Sequence, residues 1–176
     1  MTDNEKSKKR MRIVTQKNYP LPDPSIFSHH KEIIKAYAVL SGKGKKSVSW
    51  EDFKEIVKFN PKNIVSGNNK FLESLGLIKK VKGRGRYVPT TLGIKLAESL
   101  GWEDETEAKN IIRNIVTNSW FFESVRELLK IEGAATLDTL IKKLGRDAGA
   151  EPKQHIRKSL KILIEYLKFA ELIKEE

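Results

Sequence analysis

The side chains that could do covalent or metal chemistry are few and badly spaced for it. The chain has no cysteine, and its three histidines are His29, His30 and His155. Adjacent residues on a helix point about 100° apart, so His29 and His30 make a poor ligand pair, and without thiolates a zinc site would need carboxylates from elsewhere. Glu103, Asp104, Glu105 and Glu107 crowd together, yet carboxylates at a helix start are what the macrodipole favours. Gly42-Lys43-Gly44-Lys45-Lys46-Ser47 has the residue types of a phosphate loop without its spacing, since no glycine stands four residues ahead of a Gly-Lys-Ser/Thr. Gly83-Arg84-Gly85 lacks the third glycine of a dinucleotide turn. No Ser/His/Asp set can be named, and no carboxylate pair stands out from the solvated helix faces. The expectation is a protein that is not an enzyme, with no catalytic residue, no metal site and no cofactor.

What the residues do offer is positive charge. Lys and Arg number 34 against 23 Asp and Glu, a net +11 over 176 residues. Residues 1–26 hold six basic and three acidic side chains, residues 27–102 fifteen and six, and residues 103–176 thirteen and fourteen, so the segments carry +3, +9 and -1. A general lysine enrichment would bring glutamate with it and spread along the chain. A local excess instead predicts an anionic partner for the first part. No window approaches the roughly 18 apolar residues of a membrane helix, and the first twenty residues contain no hydrophobic stretch of signal-peptide length. These features predict a cytoplasmic protein without a membrane partner.

The elements that would position the cations follow from periodicity. Residues 1–26 read as a partly disordered basic arm, because Lys8, Lys9, Arg10 and Arg12 lead into Tyr19-Pro20-Leu21-Pro22-Asp23-Pro24, which cannot be helical. That arm is either a solvated tail or a contact for backbone phosphates. Ser28 is a plausible cap for a first helix carrying Ile33, Ile34, Tyr37, Ala38 and Leu40, stopped by Ser41-Gly42. Ser49 and Asp52 resemble a capping box for a second, with Trp50, Phe53, Ile56 and Val57, ending near Phe59. Asn60-Pro61 is N-cap and first position of a third, which Gly76 terminates. At 100° per residue, Ile64, Val65, Phe71, Leu72 and Leu75 share one face, with Lys62, Ser66 and Lys70 opposite and Asn63 and Asn69 flanking. Asn68 falls inside the apolar face, so either it is a buried, hydrogen-bonded amide or the helix starts there. Leu77–Lys82 and Arg86–Pro89 then read as two short strands joined through Gly83-Arg84-Gly85. Thr90 or Thr91 caps a helix with Leu92, Leu96 and Leu100 on one face.

The order helix, helix, helix, hairpin, helix is that of the winged helix-turn-helix. The stretch Phe71–Glu98 resembles the matching piece of many prokaryotic winged-helix regulators: Leu72, Gly76, Leu77 and Ile78 close the recognition helix, Lys79 to Arg86 form a charged wing, and Thr90, Thr91 and Gly93 start the next helix. The resemblance covers about 75 residues. It implies duplex DNA as partner and, as DNA-binding residues, Lys45 and Lys46 in a loop, Lys62, Asn63, Ser66, Asn69 and Lys70 on the third helix, and Lys82, Arg84 and Arg86 at the wing tip.

The second half repeats the pattern more weakly. Asp104 with Glu107 can cap a helix whose apolar face continues to Gly133. Thr136 opens a short helix, Pro152 begins a long one with Ile156, Leu160, Leu163, Ile164 and Leu167 as its stripe, and Leu172-Ile173 would be a first wing strand. Lys158, Gln154 and Lys161 could face DNA. His155, Ser159, Ile162 and Tyr166 form a second stripe, read either as packing on the first half or, through His155, Ile162 and Tyr166, as a dimer or partner contact. The expected architecture is mainly α with a small β-hairpin, an α+β chain of two tandem winged-helix domains: residues 27–102, basic and DNA-binding, and residues 103–176, neutral and similar to the second unit of prokaryotic tandem winged-helix proteins. The expected role is a double-stranded DNA-binding protein of the nucleoid, a transcriptional regulator or chromatin-associated protein, with a tandem winged-helix adaptor for a protein complex without direct DNA binding as the alternative.

Overall fold

A computed structural model describes residues 19–176; the cations at Lys8, Lys9, Arg10 and Arg12 lie outside the described residues. The described chain is mainly helical with one small antiparallel sheet, the α+β class expected. Its elements are α1 (Phe27–Leu40), a 3-10 helix (Trp50–Glu55), α2 (Pro61–Ser74), β1 (Ile78–Lys80), β2 (Tyr87–Pro89), α3 (Thr91–Gly101), α4 (Glu105–Val116), α5 (Trp120–Glu132), α6 (Leu137–Asp147) and α7 (Gln154–Phe169).

Both ends of α2 follow from its capping residues. The Asn60 side chain accepts the Lys62 N–H (3.1 Å) and Pro61 occupies the first position, where its missing N–H costs nothing. At the other end Gly76 takes φ +76, its N–H bonds to Glu73 O (2.9 Å) and the Leu77 N–H bonds to Leu72 O (3.1 Å). This is the glycine-centred turn that satisfies the last carbonyls, with Leu72 and Leu77 both buried beside it. Thr90 joins the two ends of the hairpin: its hydroxyl donates to Gly76 O (2.6 Å) and accepts the Gly93 N–H (3.1 Å). Gly93 is required there, since a Cβ would stand 2.1 Å from the Leu77 carbonyl oxygen.

β1 pairs with β2 in the register Ile78↔Pro89, Lys79↔Val88 and Lys80↔Tyr87. Val48 adds an isolated bridge to Tyr87 on the other side, through bonds of 2.7 and 2.9 Å. The hairpin is thereby anchored to the segment that follows α1.

Four expectations are corrected. α1 starts at Phe27 with Ile26 as an uncapped N-cap, so Ser28 lies inside it; Phe27 is anchored there by Tyr166 and Phe169, its ring centroid 4.9 and 5.6 Å from theirs. The second helix is a short 3-10 helix ending at Glu55, not an α-helix reaching Phe59, because Trp50 and Phe53 are three apart and Pro61 forces Asn60 to be extended. α7 begins at Gln154, two residues after Pro152. Leu172-Ile173 forms no strand, having no neighbouring strand to bond to in the second half.

The largest departure concerns the arm. Tyr19–Ile26, expected to be partly disordered, is laid across the fold. Tyr19 stacks on Trp120 at 4.4 Å with the rings 2° from parallel. Pro22 is buried, and the Asp23 N–H bonds to Asn68 Oδ1 (2.9 Å). Asn68 in turn donates to Ile64 O (2.7 Å) and is fully buried, so of its two alternatives the buried, hydrogen-bonded one holds. A proline-rich strand has few donors to leave unsatisfied and little backbone entropy left to lose on docking.

The core does not divide between the halves. Ile33, Phe53, Phe71, Leu72 and Leu96 belong to one buried cluster with Ile112, Val116, Phe121, Leu144, Leu160, Leu163 and Leu167. α1 packs along α3, α3 on α4, and α4 on α7. At the junction the Phe71 ring meets Tyr166 at 5.5 Å and Phe121 at 6.4 Å. Among the described residues no helix is long and apolar enough to cross a membrane.

Candidate nucleic-acid interface

The loop after α1 is built by one buried serine. Ser41 Oγ accepts the Gly44 N–H (2.9 Å), and its carbonyl accepts the N–H groups of Lys45 (2.9 Å) and Lys46 (3.0 Å). Gly42, Lys43 and Gly44 all take positive φ (58, 60 and 88°), a tight reversal for which two glycines are suited and one lysine is strained. The reversal leaves Lys43, Lys45 and Lys46 exposed.

These lysines meet the hairpin. Lys43, Lys45 and Lys46 line an open groove with Lys79 and Lys82, floored by Val88 and closed at one end by Thr90 and Thr91 at the start of α3. Lys79 enters it because it pairs with Val88, on the sheet face opposite buried Ile78 and Tyr87. Periodicity over so short a strand did not single out Lys79 or Lys43, and Ser41 was legible only as a helix stop.

The hairpin tip is Lys82-Gly83-Arg84-Gly85, closed by the Val81 N–H to Arg86 O bond (3.1 Å). Gly83 at φ +110 and Gly85 at φ +65 make the turn, and Lys82 and Arg84 are exposed. Arg86 is not at the tip. It is half-buried at the base, its Nε donating to Ser47 Oγ at 2.9 Å, so it fixes the hairpin to the loop.

On α2, Lys62, Asn63, Ser66 and Lys70 are exposed together on one arc. Asn69 is not available: it is 5% exposed and accepts the Tyr37 hydroxyl at 2.5 Å. Its place at the rim of the arc let it be read as a reading residue, but α1 covers that rim. Burial raises the Tyr37 hydroxyl far above its ordinary range, with the neighbouring Tyr87 adding to the rise and the Asn69 bond opposing it. The structure thus gathers the expected residues into two surfaces, the groove with its tip and the α2 arc, and removes Asn69 and Arg86 from them.

Ion pairing separates the halves as net charge does. Among the described residues, two of the fifteen Lys and Arg side chains of residues 27–102 hold a carboxylate, Lys35 on Glu32 and Lys43 on Glu98. In residues 103–176 six of thirteen do: Lys109, Lys142, Lys143, Lys153, Arg157 and Lys168. Among the described residues, Lys45, Lys46, Lys62, Lys70, Lys79, Lys82 and Arg84 form no ion pair.

Of the two readings of the second stripe of α7, packing on the first half is the one seen. Ile162 and Tyr166 are 3% and 0% exposed, so neither is free for a dimer or partner contact. Tyr166 packs against Phe27 and His30 of α1 and Phe71 of α2, and Ile162 lies at the floor of the groove beside Pro24–Phe27; the first half covers the place left for a partner. His155 is exposed and faces Asp23, whose carboxyl burial raises and the imidazole lowers.

Among the described residues no three His, Asp or Glu side chains converge as metal ligands would. No protein-family model, no curated protein and no solved structure matches the chain.

Proposed function

We propose that the protein binds double-stranded DNA as a winged helix and serves as a transcriptional regulator or chromatin-associated protein in the nucleoid. α2 lies in the major groove, where Asn63 and Ser66 meet base edges and Lys62 and Lys70 the flanking phosphates. Lys82 and Arg84 at the hairpin tip, with Lys45, Lys46 and Lys79 in the groove behind it, hold the backbone. Arg86 acts indirectly, by holding the hairpin against Ser47.

The observation that carries the reading is the set of exposed cations without carboxylate partners on α2, the loop and the hairpin. A lysine that served only solubility would be as well placed beside a glutamate, and the second half shows that arrangement. Unneutralised cations gathered on neighbouring elements lose little on meeting phosphate and release its counterions. The test is a duplex-binding titration of the full chain against the Lys45→Ala/Lys46→Ala/Lys82→Ala/Arg84→Ala variant. Weakened binding with a flatter salt dependence supports the reading; identical curves remove it.

A second reading, an adaptor in a protein complex, is favoured by Ile131 and Leu137, 84% and 42% exposed on either side of the α5–α6 turn. A partner that stays bound after nuclease digestion selects it.

A further inference from the structure

Two cations of α7 are left out of that reading. Lys158 and Lys161 are exposed and, among the described residues, form no ion pair. Lys153, Arg157 and Lys168, before, beside and beyond them, each hold a carboxylate. The difference is local, so the helix has no general shortage of acidic neighbours.

Their position relative to α2 is set by the docked N-terminal strand. Asp23 lies over Gly67 of α2 so closely that a Cβ at Gly67 would come within 2.7 Å of the Asp23 Cβ, and Asn68 holds its N–H. The next four residues, Pro24 to Phe27, form one wall of an open groove whose other wall carries Lys158, Lys161 and Glu165. Four residues of extended chain reach at most about 14 Å. That is about four base-pair steps of duplex at roughly 3.4 Å each. The groove therefore begins within a few base pairs of the exposed arc of α2. Neither nearby acid closes on these cations: among the described residues Asp23 and Glu165 form no ion pair with Lys158 or Lys161, and Glu165 lies 3.9 Å from Lys168 instead.

We infer that α7 is a second DNA contact, in which Lys158 and Lys161 bind backbone phosphates of the duplex that α2 reads, on the side of α2 marked by Asp23. This rests on the DNA-binding reading above and extends it to the half of the chain whose net charge is -1. Duplex backbone is the occupant because these cations continue the unpaired cations of α2 across a single docked strand.

The test uses the full chain and a generic duplex of about 30 base pairs, with affinity measured across a salt series. Lys158→Gln/Lys161→Gln is compared with Lys130→Gln/Lys174→Gln, which removes the same charge from exposed positions elsewhere on the second half. Loss of two phosphate contacts lowers the magnitude of the log-log salt slope by about 2. The inference predicts that drop for the α7 pair, at least tenfold weaker binding near about 0.1 M salt, and a footprint shortened at one end, with the control pair unchanged. If the wild type binds and the hairpin variant weakens it, but the α7 pair matches the control, the inference is overturned and the DNA-binding reading stands. If the wild type shows no duplex affinity, both fall together.

Discussion

His30 and Tyr166, 136 residues apart in the chain, share a 2.7 Å hydrogen bond between Nδ1 and the phenolic oxygen inside the core. His30 Nε2 has no partner among the described residues. If Tyr166 donates to Nδ1, only the Nε2–H is left unsatisfied. The opposite tautomer would strand both the phenolic proton and the Nε2 lone pair, so the neutral Nε2–H form is the cheaper one. Burial, with a smaller contribution from His29, lowers the His30 pKa to about 3. The unfolded chain takes up a proton below about pH 6.5, and folded His30 refuses it until about pH 3. Stability from this group is therefore complete above about pH 6.5 and lost progressively as pH falls toward 3. Between about pH 7 and pH 4.5 the loss is roughly 2 to 3 kcal/mol. Urea unfolding should show a His30→Leu variant less sensitive to acid by that amount; equal acid slopes would mean that His30 is not held neutral.

Gly93→Ala should cost about 3 kcal/mol or more, because its methyl meets the Leu77 carbonyl, a backbone atom that cannot swing aside. Thr90→Val keeps the volume but loses both the Gly76 and Gly93 bonds, for about 1 to 2 kcal/mol. Chemical denaturation of the two variants gives the order directly, and a Gly93→Ala protein as stable as wild type would contradict the packing of α3 on the hairpin.

Asn69 and Lys70 adjoin in sequence and should separate in their effects. Asn69→Ala leaves the buried Tyr37 hydroxyl without its acceptor and should destabilise by about 1 to 3 kcal/mol while leaving the salt slope of duplex binding intact. Lys70→Ala should stay within about 0.5 kcal/mol of wild-type stability and lower that slope by about 1. The reverse pattern would put Asn69 back on the DNA-reading arc.

Because Phe71, Phe121 and Tyr166 meet in one core, the two halves should unfold together. Circular dichroism and tryptophan fluorescence are expected to give coincident transitions in denaturant. Two separated transitions would show that residues 27–102 and 103–176 are independent domains.

The legible parts of the fold were those fixed by a local rule. Asn60-Pro61, Gly76, Thr90, Asp104 and Thr136 all stand where capping chemistry puts them, since a cap depends on residues within a turn of itself. What could not be read depended on distant partners. Proline rules exclude a helix at residues 20–24 but say nothing of Trp120 and Asn68 waiting to receive that strand. Asn69 sits at the edge of an arc, and only α1's Tyr37 decides which side of the edge it takes. Ile162 and Tyr166 read as an apolar stripe that needs cover, and the cover comes from residues 24–30. For the candidate site, the clustering of charge was plain from counting, while the meeting of Lys79 with Lys43, Lys45 and Lys46 required the strand register.

Duplex affinity of the full chain as a function of salt tests the central claim most directly. The unpaired cations on the loop, the hairpin and α2 predict a log-log slope of magnitude about 4 or more, from five or more phosphate contacts, and a loss of about 3.6 units of that slope when Lys45, Lys46, Lys82 and Arg84 are replaced by Ala. A wild-type slope near zero, or one that the fourfold replacement leaves unchanged, would contradict the account.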